Sequence, residues 1–244
     1  RVDNVSFSYP GTDRKAVDNV SLSIAGGETV AIVGVNGSGK TTLAKLLCGL
    51  YTPDAGKIAI GGADSADTEP DTLYAKTSAV FQDYARYGGL TLRENVQISD
   101  TSHPKDAEPF MRQAGCQDSL LDPEKMDMMM GRSFDGLELS GGQWQRIAMA
   151  RGLYRDSDFI LLDEPTASID PLEETRIYKM FASVAKDKTC VLITHRLGSA
   201  RIADRILVMD AGHLVESGTH EELLQKHGLY HEMWVSAAEQ YVDA

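Results

Sequence analysis

The stretch ETVAIVGVNGSGKTTLAKLLCGL, residues 28–50, constrains the fold more than any other part of the chain. It opens with a continuous apolar run, ETVAIVG at 28–34, of the kind that forms a strand buried on both faces. It closes with apolar residues at helical spacing, TLAKLLCGL at 42–50, which stop at the proline and glycine of YTPDAGK. Between them GVNGSGKT fits G-x-x-x-x-G-K-[ST], in the strand-then-helix setting that this pattern requires. Gly34, Gly37 and Gly39 let a backbone wrap phosphates without Cβ clashes, with Asn36 and Ser38 in the same loop. Lys40 can reach β- and γ-phosphates, and the Thr41 hydroxyl, with Thr42 beside it, can ligate Mg²⁺. The following helix aims its first N–H groups at the anion. A plain glycine-rich turn is the competing reading, and the strand-to-helix context favours a nucleotide. The motif alone does not separate a kinase, a GTPase and an ATPase.

A second acidic motif narrows the choice. FILLDEP at 159–165 reads as a buried strand whose end delivers Asp163 and Glu164 side by side. Asp163 suits a Mg²⁺ contact, direct or through water. Glu164 points differently and could polarise a water for attack on a γ-phosphate. In isolation such a strand end is more simply an entry into a loop; downstream of the phosphate loop the chemical reading is the better one.

The rest of the chain supplies an α/β frame. Residues 2–8 and 18–24 alternate apolar and polar like half-buried strands, separated by the turn-rich YPGTDRKAV. KIAIGG, TSAVFQD, KTCVLITH and DRILVMDAGHLVESG read as further strands, the last with a hairpin turn at Asp210–Ala211–Gly212. Strands alternating with helices imply a largely parallel sheet. From 84 to 139 the texture is polar and methionine-rich with three prolines, which predicts a mostly helical insertion with its own small core. No repeat and no apolar stretch of membrane-spanning length stands out. A formal charge of −12 argues against a broad basic face, so no nucleic-acid partner is expected; a nucleotide needs only a local nest and one lysine. Cys48, Cys116 and Cys190 lie far apart in or beside apolar stretches and read as small core residues of a reducing compartment. The start at Arg1 suggests a piece of a longer polypeptide.

LSGGQWQRIAMAR at 139–151 adds a second phosphate-type cradle. Ser140, Gly141 and Gly142, followed by Gln143, fall at the start of a helical run. An N-cap accounts for Ser140 but not for two glycines, which weaken a helix start. One chain has little use for two cradles, whereas a head-to-tail pair would use both.

On these motifs the chain resembles the nucleotide-binding domain of an ABC transporter over nearly its whole length. The phosphate loop GVNGSGKTT, the Q-loop VFQD with Gln82, the signature LSGGQ, the acidic strand ILLDE, the D-loop ASID ending at Asp170 and the switch histidine in ITHR, His195, occur in that family's order. The resemblance implies a P-loop NTPase core at 1–83 and 140–244 that includes an antiparallel β subdomain, with a helical subdomain at 84–139, all within a single ATPase domain. It implies ATP and Mg²⁺ as cofactors, and Glu164, His195 and Gln82 as catalytic residues, with Gln82 also near the metal. Tyr9 stands where the family places an aromatic ring that stacks on adenine; its other reading is a strand end beside the Pro10–Gly11 turn. Asp170 would face a partner chain or cap the next helix, and Ala167 departs from the serine common at the D-loop start.

GGLTLRENV at 88–96, the 131–171 region and GTHEELLQKHGLYHEMW at 218–234 are most similar to exporters that fuse membrane and ATPase segments, within them to bacterial peptide or lantibiotic exporters. The implied partners are a second nucleotide-binding domain, identical or homologous, and a transmembrane domain acting through a coupling helix. The implied place is the cytoplasmic face of the cell membrane, with this fragment itself soluble. A separately encoded importer subunit, a soluble ABC ATPase acting on nucleic acid or ribosomes, and a regulatory module without turnover are the alternatives. Glu164 and His195 argue against the last.

Overall fold

Alternation of side chains along the central strands decides the layering. The computed structural model describes residues 1–164, 176–180 and 188–242. In it β3 (Thr29–Gly34) is buried at every position. Val30 and Ile32 join one apolar cluster, Ala31 and Val33 another. In β8 (Thr189–Ile193), Val191 and Ile193 join the first cluster while Cys190 and Leu192 enter a third. With β6 (Thr77–Val80), β7 (Phe159–Asp163), β9 (Arg205–Asp210) and β10 (His213–Gly218), these strands form a six-stranded sheet ordered β10-β9-β3-β8-β7-β6. Every pairing is parallel except the β9–β10 hairpin. That hairpin turns on Ala211 and Gly212, both at positive φ (45° and 88°), as a two-residue type I′ turn requires.

One face of this sheet carries α1 (Lys40–Leu47) and an antiparallel sheet of β1 (Val2–Ser8), β2 (Lys15–Leu22), β4 (Ala55–Ile60) and β5 (Ala63–Asp64). Val5, Phe7, Val17 and Ile58 of the small sheet meet Leu43 and Leu46 of α1 and Val191 and Leu207 of the large one. The sequence placed residues 9–17 in a loop, yet β2 begins at Lys15, paired with Ser8. Long-range pairing extends the strand: the Asp18 N–H donates to the Gly212 carbonyl at 2.9 Å. The short β5 and α2 (Pro70–Ala75) also went unread in the polar 61–76 stretch.

The opposite face is divided. Toward the chain end, α7 (Leu197–Ala200), α8 (His220–Gln225) and α9 (Leu229–Val242) cover Ala31, Val33, Ile206 and Val208 with Leu197, Ala200, Leu223 and Tyr230. The insertion contributes α3 (Leu92–Gln97), α4 (Glu108–Gln113) and α5 (Pro123–Met126), leading into α6 (Gly141–Tyr154). Its expected separate core is not what forms. Leu92, Val96, Met111, Met126 and Met130 share one cluster with Trp144, Ile147 and Met149 of α6 and with Ile160, Leu162 and Leu192 of the sheet. Helices of four to six residues cannot enclose a core alone, so they borrow α6 and the sheet face. The three cysteines are buried and free. Among the described residues no helix is long and apolar enough to cross a membrane.

Candidate active site

The phosphate loop leaves the carboxyl end of β3, between β8 and β9, where open α/β sheets place their ligands. Two of its glycines are required by packing. A Cβ on Gly34 would lie 2.1 Å from the Met209 carbonyl oxygen, and one on Gly39 would lie 2.3 Å from that of Ala16. Both also hold positive φ, 150° and 101°. The loop is pinned from the hairpin side by the Gly212 N–H, which donates to the Ser38 carbonyl at 3.0 Å. Gly39 precedes α1 without any side-chain cap, leaving the first N–H groups of α1 available to a ligand.

Lys40 is buried, and its ammonium donates to the carbonyls of Gly34 (2.9 Å) and Val35 (3.1 Å). Burial pulls its pKa below the ordinary lysine value, opposed by the Glu164 and Asp163 carboxylates. Asp163, at the end of β7, is 2% exposed. Burial raises its pKa, opposed by a hydrogen bond from Thr41, while the Glu164 charge adds to the rise. Its Oδ1 is buried and has no hydrogen-bond partner among the described residues. An orphaned carboxylate oxygen beside a threonine hydroxyl is a donor set that fits a hard divalent cation such as Mg²⁺.

Glu164 sits at φ 45°, a left-handed conformation unusual for a side chain of this size. Its N–H donates to the Ile193 carbonyl at 3.0 Å, which fixes that turn against β8. The turn aims the carboxylate into the cleft, where His195 Nδ1 lies 3.3 Å from Glu164 Oε2. Gln82 lines the same cleft but is exposed and lies two residues past the end of β6, not at its end as the sequence suggested. The cleft holds about 570 Å³ and is lined by Asn36, Gly37, Gly39, Lys40, Thr41, Thr42, Gln82 and Glu164 on the phosphate-loop side.

Across it stand Tyr9, Thr12, Arg14 and Ala16. Tyr9 packs edge-on with Phe7 (5.3 Å between ring centres) and Tyr51 (5.8 Å), and its hydroxyl lies 3.0 Å from that of Thr42. The sequence reading missed Thr12 and Arg14. Their signal was their place in the polar loop directly after Tyr9: the Thr12 hydroxyl accepts from the Arg14 N–H at 3.0 Å and so fixes where the arginine leaves the backbone.

The second cradle lies apart from this cleft, whose lining includes none of Ser140, Gly141, Gly142 and Gln143. Ser140 is the N-cap of α6, with a reciprocal capping box: its hydroxyl accepts from the Gln143 N–H and Gln143 Oε1 accepts from the Ser140 N–H. A Cβ on Gly141 or Gly142 would meet nothing within 4 Å. Asp170 and Ala167 lie outside the described residues.

A family model described as ABC transporter matches residues 17–167. The chain belongs to the ABC transporter family. It is an ATPase domain of that family. It is 41% identical to the subtilin transport ATP-binding protein SpaT of Bacillus subtilis over 94% of this chain and 38% of that protein. The nisin transport ATP-binding protein NisT of Lactococcus lactis subsp. lactis is 39% identical, covering 100% of this chain and 41% of its own length. An ATP-dependent lipid A-core flippase of Neisseria meningitidis serogroup B is 38% identical over 93% of this chain and 36% of its own. A solved bacterial Atm1-family ABC exporter with ATP bound superposes with a TM-score of 0.88 at 36% identity, covering 97% of this chain and 41% of that one. This ABC domain thus spans about two fifths of the proteins it matches.

Proposed function

We propose that this ABC domain hydrolyses MgATP in a head-to-tail pair of nucleotide-binding domains and so drives export through a membrane domain. The observation that carries the reading is the convergence of Lys40, Thr41, Gln82 and Glu164 on one cleft, with Asp163 behind Thr41 and His195 against Glu164. The backbone of Gly34, Asn36, Gly37, Ser38 and Gly39 would hold the phosphates, with Lys40 leaving its two carbonyl partners for them. Thr42 and Tyr9 would flank the α-phosphate and the base. Thr41, Asp163 and Gln82 are the residues to hold Mg²⁺, which when bound neutralises charge on the β- and γ-phosphates. Water attacks the γ-phosphorus and passes a proton to the Glu164 carboxylate. The bond to the oxygen bridging the β- and γ-phosphates breaks, leaving ADP and phosphate. His195 orients Glu164 in this scheme.

The Ser140–Gln143 helix start would close on the nucleotide of the partner domain, identical or homologous, with Asp170 at the same interface. The insertion at 84–139 would receive a coupling helix. Tyr87, Met129 and Phe134 are exposed there, and the Gly89 N–H bonds the Met130 carbonyl, which brings the two segments side by side. Such a pair would work at the cytoplasmic face of a membrane, and the subtilin and nisin transport relatives favour a peptide cargo. Phosphate release from MgATP tests the catalytic core. Glu164→Gln should lower turnover by about 10²–10³-fold, the scale of a lost general base, with MgATP affinity unchanged. Equal turnover in both chains would remove Glu164 from the mechanism.

A further inference from the structure

Two residues beyond Gln82, the Tyr84 hydroxyl donates to the carbonyl of Gly141 at 2.9 Å. Gly141 is the first residue of α6 and belongs to the second cradle. The loop that lines the chain's own cleft is thereby bonded to the helix start that faces away from it.

The same loop is held again further along α6. Arg151 donates to the Ala85 carbonyl (3.0 Å) and to the Asn95 carbonyl (2.8 Å), and its guanidinium lies 4.7 Å from the centre of the Tyr87 ring. Asn95 is fully buried and its amide donates to the carbonyls of Tyr87 and Thr91, both at 3.0 Å. Residues 84–87 are therefore clasped to α6 at its first residue and again ten residues on, about 15 Å along the axis. A segment gripped at two such points cannot shift by itself. Displacing Gln82 moves Tyr84, and Tyr84 carries Gly141 with it.

We propose that Tyr84 is a positioning residue that makes the start of α6 respond to whether the chain's own cleft holds ATP. Within the sandwich reading above, on which its biological use rests, this links one nucleotide site to the other through a single chain. ATP at one site would set the Ser140–Gly142 backbone that closes on the second. Such a link would make the two sites fill together, since a helix start shifted away from its closing geometry binds the partner's phosphates less well.

Amide hydrogen exchange of the Glu164→Gln chain, with and without MgATP, reads this directly at a concentration where light scattering shows monomer. MgATP should change exchange at the 141–145 amides about fivefold, the equivalent of one net hydrogen bond. Tyr84→Phe, which removes one oxygen and keeps the ring, should abolish that change and leave MgATP affinity as it was. Gln82→Ala, which cuts the path on the other side, should abolish it too. A general loss of structure would raise exchange in both nucleotide states, not remove the difference between them. A change of equal size with and without the hydroxyl overturns the proposal, as does the lack of any response in the Tyr84 chain. The sandwich reading fails separately, as a chain that stays monomeric with MgATP at every concentration.

Discussion

The two glycine-bearing cradles of this domain carry glycine for opposite reasons. In the phosphate loop the chain itself forbids a side chain: Gly34 and Gly39 each press against a backbone carbonyl of a neighbouring strand and hold positive φ. At the start of α6 the chain forbids nothing, since Gly141 and Gly142 face open space and hold negative φ. Glycine there costs helix stability relative to alanine and gains no contact within the chain. A position kept bare at an internal cost, with no internal use, is suited to close approach by something outside the chain. The first cradle is built by packing, the second by leaving room.

Substitutions separate the two. Gly39→Ala sets a Cβ against the Ala16 carbonyl in a left-handed conformation, and should destabilise the domain by about 3–5 kcal/mol in denaturant unfolding, the range of severe single substitutions. A loss below about 1 kcal/mol would mean that the loop can move off β2 and that packing does not shape this cradle. Ser140→Ala removes one half of the capping box and should cost about 1 kcal/mol, while turnover falls further than that stability loss accounts for. Turnover that simply follows stability would reduce Ser140 to a cap. Gly142→Ala should have the smallest and opposite effect on folding, a gain of roughly 0.5–1 kcal/mol, together with a loss of ATP turnover. A stabilised chain with full turnover would show that the open space at α6 serves no partner.

The same contrast explains what the amino-acid sequence made legible. The strand-loop-helix at 28–50 and the acidic strand end at 159–164 are local patterns, and the side-chain alternation that layers the sheet follows from period two. Asp163 and Glu164 were readable as an acidic pair because a buried strand must end somewhere. That they differ in exposure and backbone was not readable, because the left-handed turn at Glu164 is held by a carbonyl of β8, about 30 residues away in the chain. Thr12 and Arg14 were missed for a similar reason: Lys15 and Ala16 become strand only through β1 and the hairpin turn at Gly212. The insertion was recognisable by texture, but its helices are too short to imply the shared core with α6. Ser140 was readable as a helix start; its hydrogen-bonded link to Tyr84 was not, since nothing in the spacing of residues 84 and 141 brings them together.

The central claim is that the open helix start of one chain completes the phosphate cleft of another. Light scattering of the Glu164→Gln chain with and without MgATP tests it most directly, because that substitution keeps the carboxylate's shape while ATP stays intact. A doubling of mass that requires MgATP, and that Gly142→Ala abolishes without loss of nucleotide affinity, is the result the account predicts. A doubling that survives Gly142→Ala, or a monomer that binds MgATP at every concentration, would contradict it.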